Sequence, residues 1–175
     1  MGERIRSSPW VLRWADLLPA DGDVLDLACG AGRHTRLLLE LGHPVVAVDI
    51  DLSGIADLVG HPRLETAQVD LEDGSPFPLR GRSFAGLVVT NYLHRPILDD
   101  LVSAVALGGA LIYETYARGN ERFGLPTNPD FLLEPGELLE AVRGRLRVVA
   151  YEDLIVDDPS PAAVQRICAV APRAP

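Results

Sequence analysis

The chain has 175 residues, of which 47% are apolar and 23% charged, and this is enough for one globular domain with its own hydrophobic core. A formal net charge of −9 argues against nucleic acid as a partner, because non-specific affinity for phosphate backbones depends on basic surface. All 16 Lys and Arg positions hold arginine, which excludes lysine nucleophiles, Schiff bases and a Walker A loop.

The cysteines and the apolar runs predict the compartment. Cys29 and Cys168 are far apart and belong to no CxxC or Cys/His pattern, which argues against zinc and disulfides and favours a reducing environment. The sequence shows no signal-peptide pattern and no apolar run long enough to cross a bilayer. We therefore expect one cytoplasmic domain over residues 1–175, with no metal site and no membrane association.

The first predicted element is a helix within residues 1–20. Ser8 followed by Pro9 is typical of an N-cap and a first helical position. The apolar residues that share one face of this helix are Trp10, Trp14, Leu17 and Leu18. This face is expected to pack in the core, although a helix placed here could also close over a ligand site.

Residues 24–49 predict a βαβ unit. Its parts are a buried strand at 24–28, a glycine-rich turn at 29–32, a helix at 33–41 and a second strand at 45–48. The turn lets backbone N–H groups approach a ligand at the helix N-terminus. Asp49 follows the second strand, at the position where a carboxylate accepts hydrogen bonds from ribose hydroxyls. The unit therefore predicts a site for an adenosine-type cofactor.

The rest of the chain continues to alternate strands and helices. The predicted elements are a short helical segment at 52–59, strands at 64–69, 85–90 and 110–113, a helix at 96–106, an irregular stretch at 114–133, a helix at 136–142, and two antiparallel strands at 147–151 and 164–171. This alternation is typical of a three-layer α/β sheet.

Polar residues concentrate where the predicted strands end. These places are 28–32, 49–50, 70–71, 91–95 and 114–120. In open, mostly parallel sheets, ligands bind beyond the carboxyl ends of the strands. The sequence therefore predicts one site along this edge.

The glycine pattern alone leaves the adenosine cofactor open. Gly30 and Gly32 fit the dinucleotide pattern GxGxxG, but Thr35 occupies its third glycine position. An NAD(P)-binding oxidoreductase is therefore an alternative. Short-chain dehydrogenase chemistry needs a lysine that the chain lacks, and little length is left for a separate substrate domain.

Several motifs, taken together and in this order, resemble the class I S-adenosylmethionine-dependent methyltransferases. VLDLACGAGRHT resembles their first motif, VVAVD the second, QVDLEDG the third, and FAGLVVTNYLHRPIL with GGALIYET the later strands. The segments NYLHRP, YETYARGNERFG and NPDFLLEPGELL are similar to small bacterial enzymes near the tellurite-resistance type, which act on small molecules. The resemblance implies a Rossmann-like α/β/α sandwich, with a seven-stranded, mostly parallel sheet of order 3-2-1-4-5-7-6 and one antiparallel strand.

The resemblance also implies which residues bind S-adenosylmethionine. They are Asp26, Ala28, Cys29, Gly30, Gly32, Asp49, Ile50, Asp70, Leu71, Asn91 and Tyr92. Among them, Asp49 is implied to accept hydrogen bonds from both ribose hydroxyls, and Asp70 to accept one from the adenine amino group. From the residues alone, Asp70 fits the start of a turn equally well, and Cys29 fits a small packing residue.

Methyl transfer requires alignment of the nucleophile, the methyl carbon and the sulfur, and a general base only if the acceptor arrives protonated. His94 follows the fourth strand and is a candidate base, although a helix-capping role fits it equally well. Tyr116 is a second candidate catalytic residue. Arg118 and Arg122 could bind an anionic acceptor or pair with neighbouring acids.

These observations together predict a methyltransferase that acts on a small-molecule acceptor by direct displacement. The acceptor and the oligomeric state do not follow from the sequence. A non-catalytic module that binds S-adenosylmethionine is a second alternative beside the oxidoreductase, and methylation of RNA or protein is a weaker one.

Overall fold

The structure, a computed structural model, describes residues 6–173. The first five residues and the last two of the predicted domain lie outside the described residues. The strands are β1 Val24–Leu27, β2 Val45–Asp49, β3 Leu64–Gln68, β4 Phe84–Thr90, β5 Val105–Tyr116, β6 Arg147–Val156 and β7 Ala162–Val170. The α-helices are α1 Pro9–Trp14, α2 Arg33–Glu40, α3 Arg95–Ser103 and α4 Glu137–Val142. Short 3-10 segments lie at Ala15–Leu17, Ser53–Leu58, Asn120–Arg122 and Pro129–Phe131.

The seven strands form one sheet in the order β3-β2-β1-β4-β5-β7-β6. The pairs from β3 to β5 are parallel, and β7 runs antiparallel to both β5 and β6. The predicted fold class, strand order and single antiparallel strand are therefore confirmed. The strand order changes direction between β1 and β4, and this is where such sheets form their ligand crevice.

Alternate residues of the central strands pack into two cores on opposite faces of the sheet. Leu25 and Leu27 of β1 belong to the core beneath α3 and α4, together with side chains such as Leu101 and Leu138. Val24 belongs to the other core, which contains residues of α1 and α2. Helices therefore cover both faces of the sheet, and its carboxyl edge is left for the loops.

Predicted boundaries are wrong at both ends of β5 and at the end of β6, which was predicted at 151 and continues to Val156. Helix α3 ends at Ser103, and residues 105–106 of the predicted helix already belong to β5, because β5 starts beside Phe84 at Val105. At its other end β5 continues to Tyr116, since it pairs with β7 as far as Val164. The irregular stretch is therefore shorter than predicted.

The N-terminal helix begins as predicted, because the Ser8 side chain accepts hydrogen bonds from the backbone N–H groups of Trp10 and Val11. The prediction that Leu17 shares the buried face is wrong. The chain changes to a 3-10 segment after Trp14, and this rotates Leu17 outward to 39% exposure. Within residues 6–173, none of the helices combines the length and the apolar character that crossing a bilayer would need.

Candidate functional site

The turn after β1 packs closely against the 3-10 segment Ser53–Leu58. Gly30 and Gly32 have φ angles of 53° and 75°, which glycine adopts without strain. A Cβ atom on Gly32 would lie 2.1 Å from Cγ2 of Ile55. A Cβ atom on Gly54 would lie 2.7 Å from the carbonyl oxygen of Gly30. On the outer side nothing lies within 4 Å of a Cβ built on Gly30, so the turn is open there.

Two non-glycine residues within 6–173 have a left-handed backbone, and both follow central strands. Ala28, after β1, has φ 53°, and Asn91, after β4, has φ 55°. The Asn91 N–H donates to the carbonyl oxygen of Glu114 at 2.9 Å, which fixes its position against β5. Such conformations cost about 1–3 kcal/mol and cluster at functional sites. Their position on either side of the change in strand order marks the same crevice as the topology.

A first cavity, of about 420 Å³, opens beyond β1, β2 and β3. Its lining includes Asp49, whose Oδ2 accepts from the Gly30 N–H at 2.8 Å. The other oxygen, Oδ1, accepts from the Asp51 N–H at 3.1 Å. Beside it Ile50 is 61% exposed, an unusual position for an isoleucine. We call this space the first cavity; it combines an oriented carboxylate with an apolar wall.

Asp70 and Leu71 line the first cavity from the β3 side. Asp70 Oδ1 accepts from the Glu72 N–H at 2.8 Å, so Asp70 also begins a turn, as the alternative interpretation expects. The two interpretations are compatible, because a carboxylate has further lone pairs that can accept from a ligand. Leu71 is buried and supplies apolar lining.

Two other predicted binding residues, Cys29 and Asp26, are buried and do not line the first cavity. Cys29 packs with Ala47 and Ile55, and burial raises the pKa of its thiol to about 12, so it is a packing residue. Asp26 is 2% exposed and accepts a hydrogen bond from the Thr35 hydroxyl at 2.6 Å. Burial raises the pKa of Asp26 to about 7 in spite of that hydrogen bond.

A second cavity, of about 500 Å³, lies beside the first, beyond β4 and β5. Its walls include Asn91, Tyr92 and Tyr116, and the apolar side chains of Leu125 and Phe131 face it from the chain that follows β5. Leu125 is 84% exposed, which makes this wall an open apolar rim.

Long-range side-chain contacts hold that rim in place. Arg95 donates two hydrogen bonds to the Glu137 carboxylate, at 2.6 and 2.9 Å. The same guanidinium donates to the carbonyl oxygens of Asp130 and Leu132, both at 2.8 Å. Asn120 is 1% exposed, and its Oδ1 accepts from the backbone N–H of β7 at Ala163. Asn120 is therefore a structural residue.

The structure does not bring His94 and Tyr116 to one cavity. His94 lines a third cavity of about 330 Å³, which lies between the loop after β3 and α3. His94 precedes α3 as its N-cap residue, but its side chain makes no capping hydrogen bond. Tyr116 is half-buried in the wall of the second cavity.

The arginines considered for an anionic acceptor are engaged elsewhere. Arg118 pairs with Glu134 at 2.7 Å, and Arg122 packs on the ring of Phe123. Neither lines the second cavity. Within residues 6–173 there is also no cluster of three or more His, Cys, Asp or Glu side chains that could hold a metal ion.

Sequence reasoning missed two features. Glu72 lines all three cavities, and its only signal was its place in the acidic run after the third strand.

His34 is buried, and its Nε2 accepts from the Ser8 N–H at 3.0 Å, so it connects the N-terminal helix to α2. Burial lowers the pKa of His34 to about 3, and it therefore stays a neutral acceptor. The Ser8 hydroxyl donates to Glu114 at 2.6 Å.

The sheet topology defines a Rossmann-like fold whose candidate ligand crevice lies at the carboxyl edge, between β1 and β4. Residues 25–106 match a family model described as a methyltransferase domain. The match runs from β1 to the start of β5, and it agrees with the family that the sequence motifs resemble.

Solved structures of methyltransferases resemble the whole fold. TehB from Haemophilus influenzae superposes with a TM-score of 0.72 at 20% identity; the match covers 93% of this chain and 61% of that protein. The glycopeptide N-methyltransferase MtfA, complexed with S-adenosylhomocysteine, gives 0.62 at 21% identity, with 98% and 94% covered. The N-methyltransferase NodS from Bradyrhizobium japonicum WM9 gives 0.66 at 17% identity, with 93% and 94% covered. No curated protein sequence gives a significant match.

Proposed function

We propose that the protein transfers a methyl group from S-adenosylmethionine to a small-molecule acceptor. The observation that carries this proposal is the arrangement of two adjoining cavities, which share Tyr92 and Glu72 in their walls. One cavity is suited to an adenosine-type cofactor, and the other is open to solvent and lined by apolar and aromatic side chains. The methyltransferase family match and the S-adenosylhomocysteine bound to the similar MtfA support the same donor.

The residues of the first cavity fit the donor. The Asp49 carboxylate is oriented by two backbone N–H groups and keeps lone pairs for two ribose hydroxyls. The exposed Ile50 side chain suits one face of adenine, and Asp70 with the Leu71 N–H suits its polar edge. The open turn at Gly30 suits the methionine half, with Asn91 nearby and Asp26 acting from beneath. The donor supplies a methyl group on a positively charged sulfur.

The chain's own contribution to the reaction is positioning. The boundary between the two cavities is where a nucleophile would meet the methyl group, and Tyr92 and Glu72 line it from both sides. We assign Tyr116 to contact with the acceptor, because it lies in the wall of the second cavity. His94 acts as a base only for an acceptor that reaches past Glu72 into the third cavity.

The domain, the acceptor class and the location are each supported by a separate observation. A single domain over residues 1–175 is supported by one continuous sheet that takes strands from both halves of the chain. A small-molecule acceptor, and not nucleic acid, is supported by the net charge of −9 and by the size of the second cavity. A cytoplasmic location is supported by two free, buried cysteines.

Two titrations and one turnover assay test the proposed function. Calorimetry should show that S-adenosylhomocysteine binds and that NADH does not. The reverse result would replace the methyltransferase with the oxidoreductase. Transfer of label from methyl-labelled S-adenosylmethionine to a pooled library of amines, thiols, phenols and carboxylates separates an enzyme from a non-catalytic module, which would bind the donor and label nothing.

A further inference from the structure

The second cavity has a distinctive charge pattern. Its lining within residues 6–173 contains one ionisable acid, Glu72, and no arginine or histidine. The other walls are aromatic, aliphatic or neutral and polar. An anionic acceptor would find no cation there, because Arg118 and Arg122 are engaged outside the cavity.

The position of Glu72 matters more than its charge alone. Glu72 and Tyr92 are the two residues shared by the first and second cavities, so they flank the place where the methyl group must cross. The Tyr92 hydroxyl is buried and makes no hydrogen bond within the described residues. Burial and the nearby Glu72 carboxylate both raise the pKa of Tyr92, so it stays a neutral phenol that can donate or accept.

On the basis of the proposed function, we infer that the acceptor is an amine with an apolar body, and that the Glu72 carboxylate holds its nitrogen at the boundary of the two cavities. The apolar body would lie against the rim formed by Leu125 and Phe131. Tyr92 lines both cavities beside this nitrogen and supplies a neutral, aromatic wall.

The chemistry of the transfer favours a carboxylate at this place. The bound ammonium first loses one proton to water, which frees its lone pair. The nitrogen lone pair then forms the N–C bond while the C–S bond breaks, and that electron pair stays on sulfur. Positive charge therefore moves from sulfur to nitrogen, and a carboxylate beside the nitrogen stabilises that charge more in the transition state than in the neutral amine that attacks. The methylated ammonium finally releases a proton to water or keeps it.

Matched probes test this inference on the complex with S-adenosylhomocysteine. We would measure dissociation constants by NMR titration for phenethylamine, 2-phenylethanol and 3-phenylpropionate, and for n-butylamine, n-butanol and valerate. The amine should bind about fivefold more tightly than the alcohol of the same scaffold, and the carboxylate most weakly. Glu72→Gln should reduce the preference for the amine to within twofold.

Asp73→Asn is the matched control, because Asp73 is a neighbouring exposed acid that caps the Ser75 N–H and lies outside the cavities. It should keep the preference of the unmodified protein. If S-adenosylhomocysteine binds but neither scaffold shows a preference for the amine, or if Glu72→Gln keeps that preference, the inference is wrong and the proposed function stands. Failure of S-adenosylhomocysteine to bind would instead overturn the proposed function itself.

Discussion

Replacement of Asp49 is the sharpest test of the first cavity. In the structure one carboxylate oxygen accepts from the Gly30 N–H and the other from the Asp51 N–H, so both oxygens are held in place before any ligand binds. Hydrogen bonds to a charged group contribute roughly 1.5–3 kcal/mol each. Losing two such bonds to ribose hydroxyls would cost about 3 kcal/mol or more, which is at least ~100-fold in affinity.

The test compares Asp49→Ala with Asp49→Asn by calorimetry with S-adenosylhomocysteine. Asp49→Ala should weaken binding by roughly 100-fold or more. Asp49→Asn should lose roughly tenfold, because its side-chain oxygen can still accept from the Gly30 N–H while the charge is gone. Thermal unfolding of both variants without ligand controls for damage to the turn. Affinity within twofold of the unmodified protein for Asp49→Ala would refute the ribose assignment.

Three further changes test the supports of the site. Gly54→Ala should distort the turn at Gly30, which it would approach to 2.7 Å, and should weaken S-adenosylhomocysteine binding in calorimetry; unchanged affinity would mean that the turn yields. Because the pKa of Asp26 is raised from 3.8 to about 7, mainly by burial, its proton stabilises the fold at low pH, and this stabilisation is lost as pH rises between those values. Asp26→Asn should therefore gain up to ~3 kcal/mol of unfolding free energy relative to the unmodified protein between pH 5 and pH 8 in urea titrations, and a flat difference would contradict the raised pKa. Arg95→Gln should release the rim of the second cavity, seen as faster proteolysis near Phe131 and a higher KM with little change in affinity for S-adenosylhomocysteine; equal proteolysis rates would show that other contacts hold the rim.

The cofactor half of the site is largely predictable because its determinants are local. The run of apolar residues in β1, the glycine turn and the carboxylate at the end of β2 follow each other within residues 24–49, and the structure places them as the sequence predicts. The same locality explains the polar residues after β3 and β4. A parallel strand forces its carboxyl end to one edge, so the position of Asp70 and Asn91 follows from the strand assignment alone.

Two of the wrong predictions concern the place where a regular helix ends. The end of α3 and the start of β5 were misplaced because pairing with the neighbouring strand overrides local helix propensity at Val105. Leu17 was placed inside because a uniform helical period was assumed across residues 9–18, whereas the chain tightens to a 3-10 segment at Ala15. At neither place does the sequence contain a residue that typically ends a helix, such as glycine or proline.

The acceptor side of the site depends on contacts between residues far apart in the chain. For this reason the sequence did not reveal that His94 and Tyr116 line different cavities. The rim of the second cavity is positioned by Arg95 and Glu137, which are 42 residues apart, and by Asn120, whose side-chain oxygen accepts from the Ala163 N–H of β7. These contacts do not involve the turn after β1. Substitutions in the rim can therefore change acceptor specificity while the donor site is kept. Glu72 is different, since its backbone N–H donates to the Asp70 carboxylate two residues earlier and Glu72 lines both cavities. Because Glu72 lines both cavities, Glu72→Gln is expected to change the preference for the acceptor more than the affinity for S-adenosylhomocysteine, and titration with each ligand measures the difference.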